Sequence, residues 1–224
     1  RLPTSVFIRL KAGDAIELRS NPPPSVYWYP EIEMALTKEE INRKLLHIVS
    51  GTLIPAGILY LPMIDGYSPF TPIIILGVFT VGSILFEYLR FRNAALQRVF
   101  TSIGSGVLRS SEKDTLTGST YIFLSAFLCS IIFKDHPHIT FIALSLFILG
   151  DAVAAIVGIS IGRIKIGKKS LEGSAACFFL GLLLFFFVYP HIPLLLDRWQ
   201  GVVPLPLIII ASLSNTLFEL FPIS

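Results

Sequence analysis

The stretch LGDAVAAIVGISIGRIKIGKKSLEG, residues 149–173, decides how this chain is read. Its first half is apolar except for Asp151. An ionisable group near the bilayer centre costs on the order of 3 kcal/mol on insertion scales. Asp151, Ala154, Ala155, Gly158 and Gly162 follow one another by three, one, three and four residues, which sets them on one face of a helix. Small residues at that spacing let membrane helices approach closely, so packing alone accounts for the alanines and glycines. It leaves Asp151 unexplained.

Beyond Gly162 the stretch turns basic, with Arg163, Lys165, Lys168 and Lys169, and closes on Ser170, Glu172 and Gly173. Glycines let a backbone come close to a ligand, and backbone N–H groups with a lysine cradle phosphates. Lys165 taken singly fits a loop that touches anionic lipid heads equally well. The 168–173 group is tighter, because a carboxylate among cations is the arrangement of a Mg²⁺–nucleotide site. Ser170 also stands where it can cap the helix that follows. The G-x-x-x-x-G-K-[ST] phosphate loop is not present in the sequence.

Working outward, the composition is that of a membrane protein. Hydrophobic residues make up 53% and charged residues 15%, against about 25% charged in soluble domains. Cys129 and Cys177 lie in apolar runs and read as buried thiols outside any disulfide framework. The first apolar run starts some way past the polar residues 1–36, so no signal peptide is expected. Crossing a hydrocarbon core takes roughly 20 apolar residues, and six stretches come near that: 45–62, 71–89, 118–133, 139–161, 174–196 and 203–221. Pro190 and Pro193 leave the end of the fifth uncertain.

Charge placement supports that count. With six spans, one side receives the basic residues of the tail, of the 90–113 loop and of the 163–169 loop. Of the 18 basic residues only Lys134 and Arg198 fall on the other side. Cytoplasmic loops carry the lysine and arginine excess, so both termini are expected in the cytoplasm. The expected fold is an all-α polytopic membrane protein of about six transmembrane helices. A cytoplasmic segment, 1–36, alternates like a small hairpin, and a transmembrane catalytic domain covers 37–224. Thr37 and Glu40 have capping-box spacing at the start of the first helix.

Other polar groups face the same side. Arg43, Lys44 and His47 precede the first span, with Arg43 and His47 on one face; interfacial snorkelling explains them as well as a site does. Glu87 and Arg90 either pair within a helix, being three apart, or Glu87 orients Arg90 toward a phosphate. Asn215 and Glu219 form an inward polar stripe in the last span. The basic residues do not interleave with aromatics, so nucleic-acid binding is not expected.

At this point the sequence resembles the CTP-dependent lipid-alcohol kinases: dolichol kinase, phytol and farnesol kinases, and the CTP-using diacylglycerol kinase. The matching pieces are RKLLH at 43–47, FEYLR at 86–90, LTGSTY at 116–121 and the Gly-Asp…Gly…Gly-Arg…Lys-Lys-Ser-x-Glu-Gly series of 150–173. The resemblance implies phosphoryl transfer from CTP to a membrane lipid alcohol (polyprenol, phytol or diacylglycerol) in a bacterial inner membrane or the endoplasmic reticulum. It implies that 151–173 holds CTP and Mg²⁺ or another divalent cation, with Arg43 and Lys44 assisting at the phosphates. On that reading Asp151 and Glu172 are the metal ligands. Lys168, Lys169 and Arg163 neutralise the phosphates, Gly158, Gly162, Ser170 and Gly173 line them, and His47, Glu87 and Arg90 stand nearby. Asn215 or Glu219 is expected near the lipid hydroxyl. The oligomeric state, monomer or homo-oligomer, stays open.

Phosphatidate cytidylyltransferases share a similar segment but continue with a basic series, whereas one basic residue, Arg198, follows Gly173 here. That difference favours the kinases. The Asp-Asn stretch that follows the last Glu-containing span in those kinases does not occur before Ser224. A transporter, with Asp151 as a coupling or packing residue, is the non-enzymatic alternative.

Overall fold

A computed structural model describes residues 38–103, 115–167 and 169–221 of the chain. The hairpin expected in 1–36, the capping box at Thr37 and Lys168 lie outside the described residues.

Eight α-helices are formed among the described residues, and proline sets several of their starts. They are α1 Lys38–Tyr60, α2 Thr71–Arg92, α3 Ala94–Ile103, α4 Gly118–Ile132, α5 Pro137–Ser160, α6 Leu171–Leu183, α7 Pro193–Arg198 and α8 Leu205–Leu220. Helices α2, α5, α7 and α8 each carry proline in their first two positions. Its fixed φ suits the helix there and its missing N–H would have no partner anyway. The expected fifth span is not one helix. After Leu183 it widens into a π-turn at Leu184–Val188, tightens into a 3₁₀ turn at Tyr189–His191 around Pro190, and resumes as α7 behind Pro193.

Four segments are long and apolar enough to cross a membrane: Lys44–Met63, Thr71–Arg92, Pro137–Ser160 and Leu171–His191. The third and sixth expected spans are the shorter apolar helices α4 and α8, of 15 and 16 residues. At 1.5 Å per residue these reach about 22–24 Å, less than the roughly 30 Å of hydrocarbon. Large apolar side chains such as Leu53, Val78, Phe79, Ile132 and Phe187 point outward, as lipid-facing residues do. The chain is a largely helical membrane protein. Among the described residues the departure from an all-α structure is a two-stranded ribbon, β1 Lys165–Ile166 and β2 Lys169–Ser170, paired antiparallel. Gly167 turns it at φ +62°, in the left-handed region that favours glycine.

Helix α5 is the centre of the bundle. Leu144 and Ile148 pack with Ile58, Leu76 and Ala126 on one side. Phe141 and Leu146 pack with Phe185, Tyr189, Leu195 and Ile208 on the other. Tyr189, buried at that depth, shares a 2.8 Å hydrogen bond with the Ser145 hydroxyl. Where α1 crosses α5, a Cβ on Gly51 would lie 2.6 Å from Ile148 Cγ2, so this crossing requires glycine. That close approach is what brings the start of α1 against the later part of α5.

Candidate functional site

Four elements that are far apart in sequence meet at one end of the bundle: the start of α1, the later half of α5, the β2–α6 junction and the end of α8. Each delivers one charge. Lys44 Nζ donates to Asp151 Oδ2 at 2.7 Å. On the other side of the carboxylate, Lys169 Nζ lies 3.5 Å from Asp151 Oδ1. Lys169 also donates to Glu219 Oε1 at 2.7 Å, and the Ser174 hydroxyl donates to Glu219 Oε2 at 2.8 Å. The result is an alternating line of Lys44, Asp151, Lys169 and Glu219, ending on a serine.

Burial is uneven along this line. The Lys44 and Glu219 side chains at its ends are 8% and 6% exposed, while Asp151 and Lys169 in the middle are 33% and 28% exposed. The longest contact is also the most open one. Burial works against the Lys169 charge, but its hydrogen bond to Glu219 and the Asp151 carboxylate outweigh it and raise its pKa above the ordinary lysine value. His47, one turn along α1 from Arg43, acts electrostatically on Asp151 as well. Arg43 stands in α1 beside Lys44; its side chain is outside the described residues.

Lys169 is aimed by the ribbon, and the ribbon is held by residues expected at the ligand. Ser170 caps α6, its Oγ accepting from Gly173 N at 3.1 Å. The same hydroxyl fills the space over the glycine face of α5: a Cβ on Gly158 would stand 2.7 Å from it. Gly162 and Gly173 face Ser170 in the same way. In the structure these glycines admit β2 and the first turn of α6, which is the packing explanation of the stripe.

Glu172 is tied to the backbone of its own loop. Read as a second metal ligand beside Asp151, it accepts instead from the backbone N–H groups of Arg163 and Ile164, at 3.0 and 3.1 Å. It thereby ties the two ends of the loop together. The acid that joins Asp151 around Lys169 is Glu219. The Arg163 side chain is exposed, and Lys165 reaches the Gly158 carbonyl at 3.4 Å.

Asn215 also has a structural task. Its Nδ2 donates to the Leu146 carbonyl at 3.1 Å and to Cys177 Sγ at 3.2 Å, linking α8 to α5 and α6 one turn behind Glu219. Both cysteines are free thiols.

Glu87 and Arg90 form a second cluster, between α2 and α4. They pair with each other, Arg90 also donating to the Thr115 carbonyl at 2.9 Å. Glu87 Oε1 accepts from Thr117 N at 3.0 Å and Thr117 Oγ1 at 2.7 Å. The Arg90 guanidinium stacks over Phe91 and over Phe100 of α3. Of the two expectations for this pair, the structure realises the pairing within one helix.

Reading the sequence missed Ser174 and helix α3, and quoted Thr117 within LTGSTY without giving it a partner. Ser174 carried a faint signal, standing four residues after Ser170 on the same helical face; Thr117 carried one as the polar residue before the α4 run.

Among the described residues no group of three or more His, Cys, Asp or Glu gathers as a metal cage. What the arrangement offers is one accessible carboxylate and one accessible ammonium side by side, each held from behind by a buried partner of opposite charge.

The chain is similar to an uncharacterized protein of Rickettsia prowazekii (strain Madrid E), with 28% identity over 156 residues that cover 66% of this chain and 72% of that one. No family model and no solved structure matches it.

Proposed function

We propose that this protein is a CTP-dependent kinase that phosphorylates the hydroxyl of a membrane lipid alcohol (a polyprenol such as dolichol, phytol or diacylglycerol) at the cytoplasmic face. The observation that carries the proposal is the Lys44–Asp151–Lys169–Glu219 line, open at its middle. Packing alone would be served by apolar residues of similar volume. The proposal includes six crossings, with α4 and α8 as the short ones, and both termini in the cytoplasm of a bacterium or on the cytosolic side of the endoplasmic reticulum.

A divalent cation fits the donor set in one form. Mg²⁺ bound with substrate phosphates needs only one or two protein carboxylates, and Asp151 supplies one that is within reach of solvent. When bound, the cation supplies neutralisation of the triphosphate charge. Lys44 holds Asp151 in place from the buried side. Lys169 presents its ammonium to the phosphates, and Glu219 with Ser174 fixes where that ammonium points. The resemblance would give Arg43, Arg163 and Lys168 a share in neutralising the phosphates.

Phosphoryl transfer asks a protein mainly for positioning and charge. The alcohol oxygen bonds to the γ-phosphorus, the bond to the β–γ bridging oxygen breaks, CDP departs with that electron pair, and the hydroxyl proton is released at the open Asp151 side. The test is purified protein in detergent with a lipid alcohol and γ-labelled CTP. Label in the lipid is the expected result. Label in pyrophosphate with phosphatidate present identifies a cytidylyltransferase instead, and no CTP turnover with any lipid leaves the transporter reading.

A further inference from the structure

The FEYLR motif at 86–90 takes no part in the proposed reaction, yet its two charges are sealed in the fold and one of them reaches α3. Helix α2 stops at Asn93, whose backbone is extended. The Asn93 Oδ1 accepts from Ala95 N at 2.9 Å and so caps α3 directly behind α2. The Phe100 ring of α3 is centred 5.8 Å from that of Phe86 and 4.2 Å from the Arg90 guanidinium. Glu87 and the Thr115 carbonyl hold that guanidinium in place. Helix α3 is thereby seated on a fixed cation, at the end of a segment long and apolar enough to cross a membrane.

Helix α3 itself is too short to cross: at 1.5 Å per residue it reaches about 15 Å, half the hydrocarbon thickness. Helical spacing puts Ala95, Leu96, Val99 and Phe100 on one face, and Gln97, Arg98 and Ser102 on the other. Helix α2 covers only part of the apolar face, since Val99 remains 54% exposed. Phe86, against which Phe100 lies, is itself 43% exposed, so the open flank of α3 continues the lipid-facing surface of α2. Arg92 and Arg98 are exposed beside it, and the sequence from Tyr88 to Ser111 contains no acid. An apolar strip level with lipid-facing side chains and flanked by uncompensated cations suits the boundary of an anionic leaflet.

We infer that α3 is an interfacial helix that binds anionic lipids, with the Val99 flank in the acyl boundary and Arg92 and Arg98 at the charged headgroups. The inference rests on the membrane fold and stands apart from what the Asp151 site turns over. An acidic protein partner is the competing occupant, and it would have to lift the Val99 flank out of the surface it shares with Phe86.

Val99→Trp places a fluorescent reporter on that flank, read as the difference from the unaltered protein with its Trp28 and Trp199. The protein is reconstituted in phosphatidylcholine vesicles containing equal fractions of either brominated phosphatidylcholine or brominated phosphatidylglycerol. Both lipids are expected to quench the reporter, and phosphatidylglycerol is expected to associate about fivefold more strongly for each arginine engaged. Arg92→Gln with Arg98→Gln should abolish that preference while quenching by brominated phosphatidylcholine persists. Ser102→Trp, on the polar face, should be quenched less by both. Ala95→Trp serves as the reporter if Val99→Trp does not fold. A reporter that neither lipid quenches shows the flank covered by protein, and equal quenching by the two lipids shows contact without headgroup recognition; either result overturns the inference. A preference that survives the double arginine variant overturns it as well. The vesicles hold no nucleotide, so none of these outcomes bears on the kinase proposal.

Discussion

Two clusters of charge are built into this bundle, and they are built differently. At the α2–α4 contact, Glu87 and Arg90 are sealed: each is almost fully buried, and Glu87 accepts from Arg90, Thr117 and Thr120. At the α1–α5–α8 contact, the same kinds of residues leave an accessible edge, with Asp151 and Lys169 about a third exposed. A sealed pair has its carboxylate and guanidinium both turned to partners within the fold. An open line commits its two ends and keeps its middle available. Burial of charge therefore does not by itself distinguish the two clusters; the accessible remainder does.

That contrast can be broken from either side. The largest effect is expected at the open cluster: Asp151→Asn should lower CTP turnover per folded molecule about 10³-fold, as expected when several kcal/mol of transition-state charge stabilisation is lost. Turnover near the unaltered level would remove Asp151 from the chemistry. At the sealed cluster the pattern inverts. Arg90→Met strands the Glu87 carboxylate, and removing one partner of a buried pair costs about 3–5 kcal/mol. Unfolding in mixed micelles should report that loss while turnover per folded molecule holds, and the double variant Glu87→Leu with Arg90→Met should recover part of it.

The third expected effect concerns the wall between ribbon and helix. Gly158→Ala places a methyl 2.7 Å from Ser170 Oγ. Overpacking of this kind costs about 1–3 kcal/mol, and less when Ser170 is replaced by glycine in the same protein. Equal cost in both backgrounds would show that Ser170 is not what fills the space.

The smallest effect is a pH dependence. The pKa of Lys169 is raised above its ordinary 10.5, so its contribution to stability is complete below that value and is lost as pH climbs through the higher folded value. Unfolding followed from pH 9 upward should show an alkaline decline that Lys169→Met abolishes; a decline that survives the substitution belongs to another group.

Much of the fold was legible because hydrophobic length is a one-dimensional property. The starts at Thr71 and Gly118 and the proline-led start near Ile139 follow from where apolar runs meet turn residues. The π-turn at Leu184–Val188 had no signal, since its residues are as apolar as those of α6 and only packing around Phe185 and Tyr189 distinguishes them. The site was legible as a set of faces and illegible as a set of partners. Spacing put Asp151 at the head of a small-residue stripe and Asn215 with Glu219 on one side of α8. It could not rotate α8 so that Glu219 meets Lys169 while Asn215 meets Leu146, because that rotation is decided by contacts 50 and 69 residues apart. The backbone contacts of Glu172 were hidden for a related reason. Its charge suited a metal, but loop closure left two backbone N–H groups that needed an acceptor nearby.

The order in which the four charges occur along the chain has a consequence for biogenesis. Lys44 is synthesised first and waits through three further helices before α5 delivers Asp151; Lys169 follows, and Glu219 comes in α8. If helices leave the insertion machinery one at a time, Lys44 goes unanswered until α5 brings Asp151, and Lys169 goes unanswered until α8 docks. From the synthesis of Lys169 until then, the line carries one surplus positive charge. Docking of α8 thus supplies the last partner of the line, the Glu219 carboxylate that Lys169 meets at 2.7 Å.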